Sequence, residues 1–538
     1  MGGILACPQP EAVEAGRRIL QDGGNAIDAA IATAFAQGIA DPIMTSIGGN
    51  GTMQVFHAES GQHLVIDFYG KAPLRATPEM WNDLVVRRLR ADMWELEGHI
   101  NQVGYLAVTV PGTVLALHEA SRRFGKLPWS ELLQPAIELA DQGFIVPAEL
   151  AETMSRDGEE GHSGVAEIMR ATPAARKVFT RDGEPLRAGE LFQMKDYAQT
   201  LRVVAAQGPD AIYEGGEIGQ AMVDDFRDHG GLIGEEDLKS YELSIYEPLR
   251  GTYRGYEICG NRPPGSGAQI IETLNILEGF DMAGIGFGTP EYAYVMAMAQ
   301  RAGFVDRERY LGDPDFLDVP VELLISKSRG QEWQRRIEAG EVFDVDGLMP
   351  PESKETTTVS AMDDEGNAVA ITHTLGSPCS GVVVEGLGFL FNNSMHIFHP
   401  YPGRPNSIAP GKSRTTGMSP TLVLQDGQPV LVTSAPGAVK ILTGNLHAIV
   451  NYIDYGMSAG EAVSVPRIHS EGLWVDIETR LYYAVKDELE RRGLRVVKSA
   501  KSFDPFFALV HVVTRDPETG SLASGSDPRG RGGWAEVR

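Results

Sequence analysis

The sequence predicts an α+β chain, helix-rich before residue 343 and strand-rich after residue 355. Three observations carry this. Pro10–Leu20 and the alanine-rich run from Ala26 onward have helical character. Phe343–Lys354 (FDVDGLMPPESK) is polar, acidic and rich in proline, and reads as an exposed linker. Beyond it the pattern changes to strand-like runs, TTTVSAM, AVAITHTL, TLVLQ and VLVTSA.

Taken in order, the first helix is stopped by Gly23 and Gly24, and the second carries the small residues Ala29, Ala30, Ala32 and Ala34 that permit close packing. The glycine turn IGGNG (Ile47–Gly51) reads as a tight buried turn before strands near Met53–His57 and Leu64–Phe68. Residues 112–340 read as mostly helical, with one strand-like insertion at Tyr253–Cys259 and a stiff loop, NRPPGSG (Asn261–Gly267), before a helix from about Ala268.

Composition narrows the function classes. A formal charge of −26 argues against nucleic acid or an anionic membrane surface as partner, because both are recognised by basic patches. The three cysteines, Cys7, Cys259 and Cys379, form no disulfide framework or paired metal-binding motif. With no basic, apolar leader in MGGILACPQPEAVEAG, they point to a reducing, cytoplasmic setting. The apolar run Ala29–Ala40 is interrupted by Gln37 and is too short to span a bilayer. The twelve histidines include no H-E-x-x-H spacing, so neither metal nor organic cofactor is expected.

The chemistry concentrates in ETTTVSAMDDEGNAVAITHTL (Glu355–Leu375). Two β-prone runs flank the turn-forming DDEGN, so a hairpin is expected. If Met362 pairs with Ala368, Thr356 faces Thr374. Directly opposed residues have Cβ atoms about 4.5–5.5 Å apart, close enough for two hydroxyls to interact. A threonine hydroxyl needs a neighbouring base to act as a nucleophile. Cutting the bond before Thr356 would supply one, since an α-amine titrates near 7.7–8.0. An ordinary threonine-rich strand explains the same residues without chemistry.

The chain resembles the gamma-glutamyltranspeptidase family along nearly its whole length. The resemblance rests on GGNAIDAAIATAF (Gly23–Phe35), VPGTV (Val110–Val114), FGKLPWSELLQPAIELA (Phe124–Ala140), YRGYEI (Tyr253–Ile258) and VDRERYLGDPDF (Val305–Phe316). It continues through DEGNAVAITHTL, FNNSM (Phe391–Met395), MSPTLV (Met418–Val423), SAPGAVKI (Ser434–Ile441), NYIDYGM (Asn451–Met457) and GSDPR (Gly525–Arg529). It implies a four-layer αββα N-terminal-nucleophile hydrolase fold with two stacked, mostly antiparallel sheets. It also implies self-cleavage between Glu355 and Thr356, leaving residues 1–355 and 356–538 as intertwined subunits. Whether that heterodimer stands alone or forms a homo-oligomer is open at this point. Thr356 then matches the nucleophile, Thr374 the threonine that polarises it, and the amides of Gly437 and Ala438 the oxyanion hole, where the family usually has two glycines. Thr358 stands where the opening motif commonly has histidine.

The substrate-reading positions depart further. In DFYGKAP (Asp67–Pro73) Tyr69 replaces the arginine that holds an α-carboxylate, and Gly376 replaces an asparagine. After the Asn-Asn pair, Asn393 and Ser394 lead into His396 and Ile397 in the region of the aspartate that holds an α-ammonium; a serine pair becomes Thr416 and Gly417. Without those charges a zwitterion loses compensation for its desolvation, so a different acyl group is expected. Lys71, Arg404, Lys412 and Arg414 are candidate cations, each also readable as a solvated loop charge. The short segment HPYPGRPNSIAPGKSRTTG (His399–Gly417) resembles the lid-less branch of the family, with its cephalosporin-acylase-like and oxamate-hydrolase-like members.

The leading expectation is amide hydrolysis or acyl transfer through an acyl-threonine. True γ-glutamyl hydrolysis or transfer, cleavage of a C–C bond beside a carbonyl, and a catalytically silent binding protein are the alternatives. Active protein is expected to separate on denaturing electrophoresis into two fragments, with N-terminal sequencing of the smaller starting at Thr356; full activity in an uncut chain would contradict this.

Overall fold

The computed structural model describes residues 2–90, 93–158, 161–343, 356–472 and 474–538. Glu355 and the linker residues 344–354 lie outside the described residues. Thirteen strands build the two main sheets. In chain order they are β1 (Gly3–Cys7), β2 (Asn50–His57), β3 (Gln62–Phe68), β4 (Ser244–Tyr246), β5 (Leu249–Tyr253), β6 (Tyr256–Gly260) and β7 (Thr357–Asp363). They continue as β8 (Ala368–Thr374), β9 (Thr421–Gln425), β10 (Gln428–Ser434), β11 (His511–Arg515), β12 (Leu522–Ser526) and β13 (Gly533–Val537).

The first sheet runs β4-β3-β2-β8-β7-β1-β13 and the second β5-β6-β9-β10-β11-β12. Every pairing in both is antiparallel. Period-two alternation sorts the side chains into layers. Leu5, Val55, Ile66, Val359 and Ile371 pack outward against α1 (Pro10–Gln21), α2 (Ala26–Ala40) and α3 (Trp129–Gln142). Ile4, Ala6, Phe56, Met362 and Ala370 face the other way, onto Leu422, Leu424, Val432 and Val513 of the second sheet. That sheet's outer face, with Ile258, Val423 and Leu431, is covered by α4 (Gly267–Leu277), α5 (Pro290–Tyr310) and α6 (Lys440–Ile453). The result is the four-layer αββα arrangement.

Helix α2 is buried along its whole length, which its small side chains allow, and its start is fixed by a capping box between Asn25 and Asp28. The sequence reading needs two adjustments. The strand expected at Tyr253–Cys259 is a hairpin, β5–β6, reversing at Arg254 and Gly255, both with positive φ. The region after the linker is not only strands; it contributes α6 and a second long helix, Thr479–Arg491.

Both sheets mix strands from either side of the linker. Strands β1–β6 precede it and β7–β13 follow it, with β7 and β8 lying between β2 and β1. A break in the linker therefore leaves every ladder intact. Among the described residues no helix is long and apolar enough to cross a membrane.

Asp363 ties the central hairpin to the helical layer. Its carboxylate, buried, accepts from the amides of Glu365 (3.1 Å) and Asn367 (3.0 Å), from Asn367 Nδ2 (2.9 Å), and from the amide of Ala26 at the start of α2 (2.8 Å). Removing it strands buried donors at roughly 1–3 kcal/mol each. Asp363→Ala is expected to lower stability by roughly 2–4 kcal/mol, measured from urea unfolding, with Asp363→Asn keeping part of the loss back.

Candidate active site

The β7–β8 register pairs Met362 with Ala368 and Thr357 with His373, which brings Thr356 opposite Thr374. Alternation turns Thr356, Thr358, Ser360 and Met362 towards the second sheet. Ser360 confirms the direction: its hydroxyl hydrogen-bonds Ser434 Oγ at the end of β10 (2.8 Å) and donates to the carbonyl of His511 (2.9 Å). Thr356 Oγ1 donates to Thr374 Oγ1 at 3.3 Å, and Thr374 Oγ1 also accepts from the amide of Gly376 at 2.9 Å. Both threonines are buried.

Because Ser434 sits against Ser360, the residues that follow β10 arrive at the level of Thr356. Here the chain turns with positive φ at Gly437 (139°) and Ala438 (53°). Among the described residues neither amide donates to a protein acceptor. Two unspent N–H groups in such a turn form an anion-binding concavity. A Cβ on Gly437 would lie 2.9 Å from Ala508 Cβ, so glycine is required there. Ala438 holds a left-handed conformation that costs an L-residue roughly 1–2 kcal/mol.

This turn is braced from behind. Leu509 donates its amide to the carbonyl of Pro436 (3.2 Å), and Arg467 donates to the carbonyls of Phe507 and Ala508 (3.0 Å each). Arg467 is paired with Asp527 (2.7 Å), which also pairs with Arg529 (2.9 Å), which in turn pairs with Glu478 (2.5 Å). All four are buried. The GSDPR block thus holds the loop on which the turn rests.

Thr356, Thr374, Gly376, Thr416, Gly417 and Ala438 line one cleft. Ile397 lines it too, whereas Tyr69, Asn393, Ser394 and His396 do not. Tyr69 is buried beside Met418, its hydroxyl accepting from Asn261 Nδ2 (2.8 Å). Asn393 is spent on the backbone, accepting from Ser377 N (2.8 Å) and donating to the carbonyls of Gln102, Ser377 and Cys379. Ser394 Oγ accepts from Asn50 Nδ2 (2.9 Å), and His396 Nδ1 donates to the Asn393 carbonyl (2.7 Å). Gly376 has φ 117°, and a Cβ there would fall 2.1 Å from Asn393 Oδ1.

Of the four candidate cations, Arg414 lines this cleft and Arg404 an adjoining one. Lys412 is turned inward, donating to the carbonyls of Pro405 (2.7 Å) and Ser407 (3.0 Å), and burial lowers its pKa. Lys71 lies over the Tyr241 ring. The sequence reading missed Arg307 and Glu471, which line both clefts. Arg307 stood in the VDRERYLGDPDF block, a signal available in principle; Glu471 had none. Arg307 donates to Ser266 Oγ (2.6 Å), and Glu471 is paired with His469 (3.2 Å). Behind the cleft, burial raises the Asp67 carboxyl to about 7, and Tyr246 donates to it at 2.5 Å.

The adjoining cleft shares Arg307, Thr415, Val439 and Glu471 with the first and is the roomier of the two. Trp94 forms one wall, edge-on to His399 (5.0 Å) and Tyr401 (5.7 Å), with the Arg88 guanidinium over its ring.

Comparison with known proteins places this geometry. The family model described as Gamma-glutamyltranspeptidase matches residues 12–537. The chain is 40% identical over 504 residues to the Acylase ACY 1 proenzyme of Pseudomonas sp. (strain SE83), covering 93% of this chain and 88% of that one. It is 34% identical over 549 residues to the Glutathione hydrolase proenzyme of Escherichia coli (strain K12), covering 98% and 90%. The crystal structure of cephalosporin acylase from Bacillus halodurans superposes with a TM-score of 0.88 at 29% identity, covering 99% of this chain and 95% of that one.

Two substitutions separate the parts of the site. Thr374→Val keeps shape but removes the hydroxyl between Thr356 and the Gly376 amide, and is expected to lower kcat by at least about 10-fold, the size typical of a lost orienting hydrogen bond. Ala438→Gly keeps the amide and relieves the left-handed strain, so steady-state assays should find activity within about 2-fold of wild type, with stability unchanged or up by about 1 kcal/mol.

Proposed function

The chain belongs to the gamma-glutamyltranspeptidase family, whose model spans residues 12–537, and from that premise we propose that it is a self-processing amide hydrolase or acyl transferase working through an acyl-threonine at Thr356. The observation that carries this is the Thr356–Thr374 hydroxyl contact of 3.3 Å, in one cleft with a turn whose Gly437 and Ala438 amides donate to no protein acceptor among the described residues. Acylase and glutathione hydrolase relatives, both named as proenzymes, support the processing step.

In the proposed maturation, Thr356 Oγ1 attacks the carbonyl carbon of Glu355; the peptide C–N bond breaks as the C–O ester forms, and water then releases residues 1–355. The freed α-amine of Thr356 is the base for turnover. It takes the Thr356 hydroxyl proton as Oγ1 adds to the substrate carbonyl, and the Gly437 and Ala438 amides hold the negative oxygen. Collapse expels the amine, which leaves with the proton, and water or a second amine attacks the ester. Both steps use the same hydroxyl, and residues 1–355 and 356–538 act as two subunits of one catalytic unit.

For the acyl group, Arg414 in the cleft favours one ending in a carboxylate, while the withdrawal of Tyr69 from the cleft removes the position where the family holds an α-carboxylate. Glu471 favours a second reading, an acyl group that also carries an ammonium, as γ-glutamyl does. The first is preferred because neither His396 nor Ile397, in the region where the family places the aspartate that holds an α-ammonium, is an anion. The adjoining cleft, the roomier of the two, suits a bulky leaving amine.

A paired assay on processed enzyme decides between them. Glutaryl anilide, which lacks only the α-amine, is expected to be cleaved as well as γ-glutamyl anilide or better. A kcat/KM at least about 10-fold higher for the γ-glutamyl compound, the worth of one charge-assisted hydrogen bond, would establish Glu471 as an ammonium partner and sink the glutaryl-type reading.

A further inference from the structure

The strand carrying the candidate nucleophile loses one neighbour just where that residue sits. The β1–β7 ladder ends at Ala6↔Ser360, and the chain then turns away into α1 at Pro10. Residues 357–359 therefore keep strand pairing only with β8, and Thr356 lies just beyond that ladder. Fraying concentrates at chain ends held by few bonds, and the proposed cut would make Thr356 a chain end.

A buried side-chain cluster occupies the position that β1 vacates. Gln37, from α2, has Nε2 2.7 Å from Gln9 Oε1, 2.8 Å from Thr357 Oγ1 and 3.0 Å from the carbonyl of Thr358. The Thr357 hydroxyl donates to Gln9 Oε1 (2.9 Å), and Gln9 Nε2 donates to Asp41 (3.1 Å). On the other strand, His373, the β8 partner of Thr357, has Nε2 2.8 Å from Gln37 Oε1 and Nδ1 3.0 Å from Thr45 Oγ1. A carboxamide oxygen only accepts, so Nε2 carries the proton and Nδ1 accepts from the Thr45 hydroxyl. Burial pushes the His373 pKa down to about 3, so the ring stays neutral. Gln9, Gln37, Thr45, Thr357 and His373 are each at most 2% exposed.

We propose that this cluster, with Gln37 at its hub and Thr357 as its grip on the strand, is a positioning clamp that substitutes side-chain bonds for the missing β1 ladder and holds Thr356 against Thr374 before and after the cut. The inference rests on the reading of Thr356 as nucleophile. The clamp lies on the helical side of the sheet, and Thr356 faces the other sheet, so none of its members touches substrate. Its expected effect is on the placement of the hydroxyl, a kcat effect, and not on substrate affinity.

The test uses Thr357→Val, which preserves shape and removes both hydroxyl bonds, and Thr357→Ser, which restores them. Time courses of chain cleavage and steady-state kinetics on processed protein are measured for each. Expected are cleavage and kcat each at least about 10-fold slower in Thr357→Val with KM within about 2-fold, and rates within about 2-fold of wild type in Thr357→Ser. If Thr357→Val is insoluble, Gln37→Met removes the hub at similar length and should show the same slowing. Wild-type cleavage and kcat in either soluble variant, or slowing that Thr357→Ser fails to reverse, overturns the clamp. An inactive wild type, or one fully active uncut, would instead remove the nucleophile reading on which the clamp rests.

Discussion

Everything at the candidate site depends on the pairing register of β7 and β8. With Met362 opposite Ala368, Thr356 meets Thr374, and the alternation of β7 aims both at the second sheet. A one-residue slip would turn Thr356 towards the helices and Thr357 into the cleft. The register is held at one end by Asp363, whose carboxylate closes the turn and docks α2, and at the other by the cluster around Gln37. Between them Ser360 reaches Ser434 across the two sheets, which carries the Gly437–Ala438 turn to the same level.

The second sheet supplies the charge-stabilising half of the site, and it does so at the expense of local strain. Ala438 and Ala508 both have positive φ, and they lie in neighbouring loops. Such conformations persist where the surroundings over-determine them. Here the surroundings are the buried Arg467–Asp527–Arg529–Glu478 network, whose charges are compensated in pairs and whose guanidinium groups also donate to the carbonyls of Phe507, Ala508 and Val463. Breaking one partner would leave its mate charged and buried, so the network acts as a unit.

Much of this was legible in the sequence, and the reason is locality. The hairpin follows from DDEGN and two period-two runs, and its register from the shortest closure of that turn. The layering follows from which residues alternate. What was not legible is where long-range packing sends a side chain. Tyr69 follows directly on β3, but its ring turns into the core and its hydroxyl meets Asn261, nearly two hundred residues on. Asn393 reads as a ligand contact and is a backbone brace. Arg307 and Glu471 reach the cleft from a helix and a loop far apart in sequence, and no periodicity marks them. The chemistry of the nucleophile is written within about twenty residues; the chemistry of specificity is assembled from segments far apart in the chain.

The central claim is that one hydroxyl, at a chain end made by the protein itself, carries the acyl group. Peptide mapping by mass spectrometry of processed enzyme, acid-quenched during turnover of glutaryl anilide, tests it directly. The account predicts a glutaryl ester on the peptide that begins with Thr356, absent from the Thr356→Ala protein. An acyl adduct on another residue, or turnover by protein in which Glu355 and Thr356 remain joined, would contradict it.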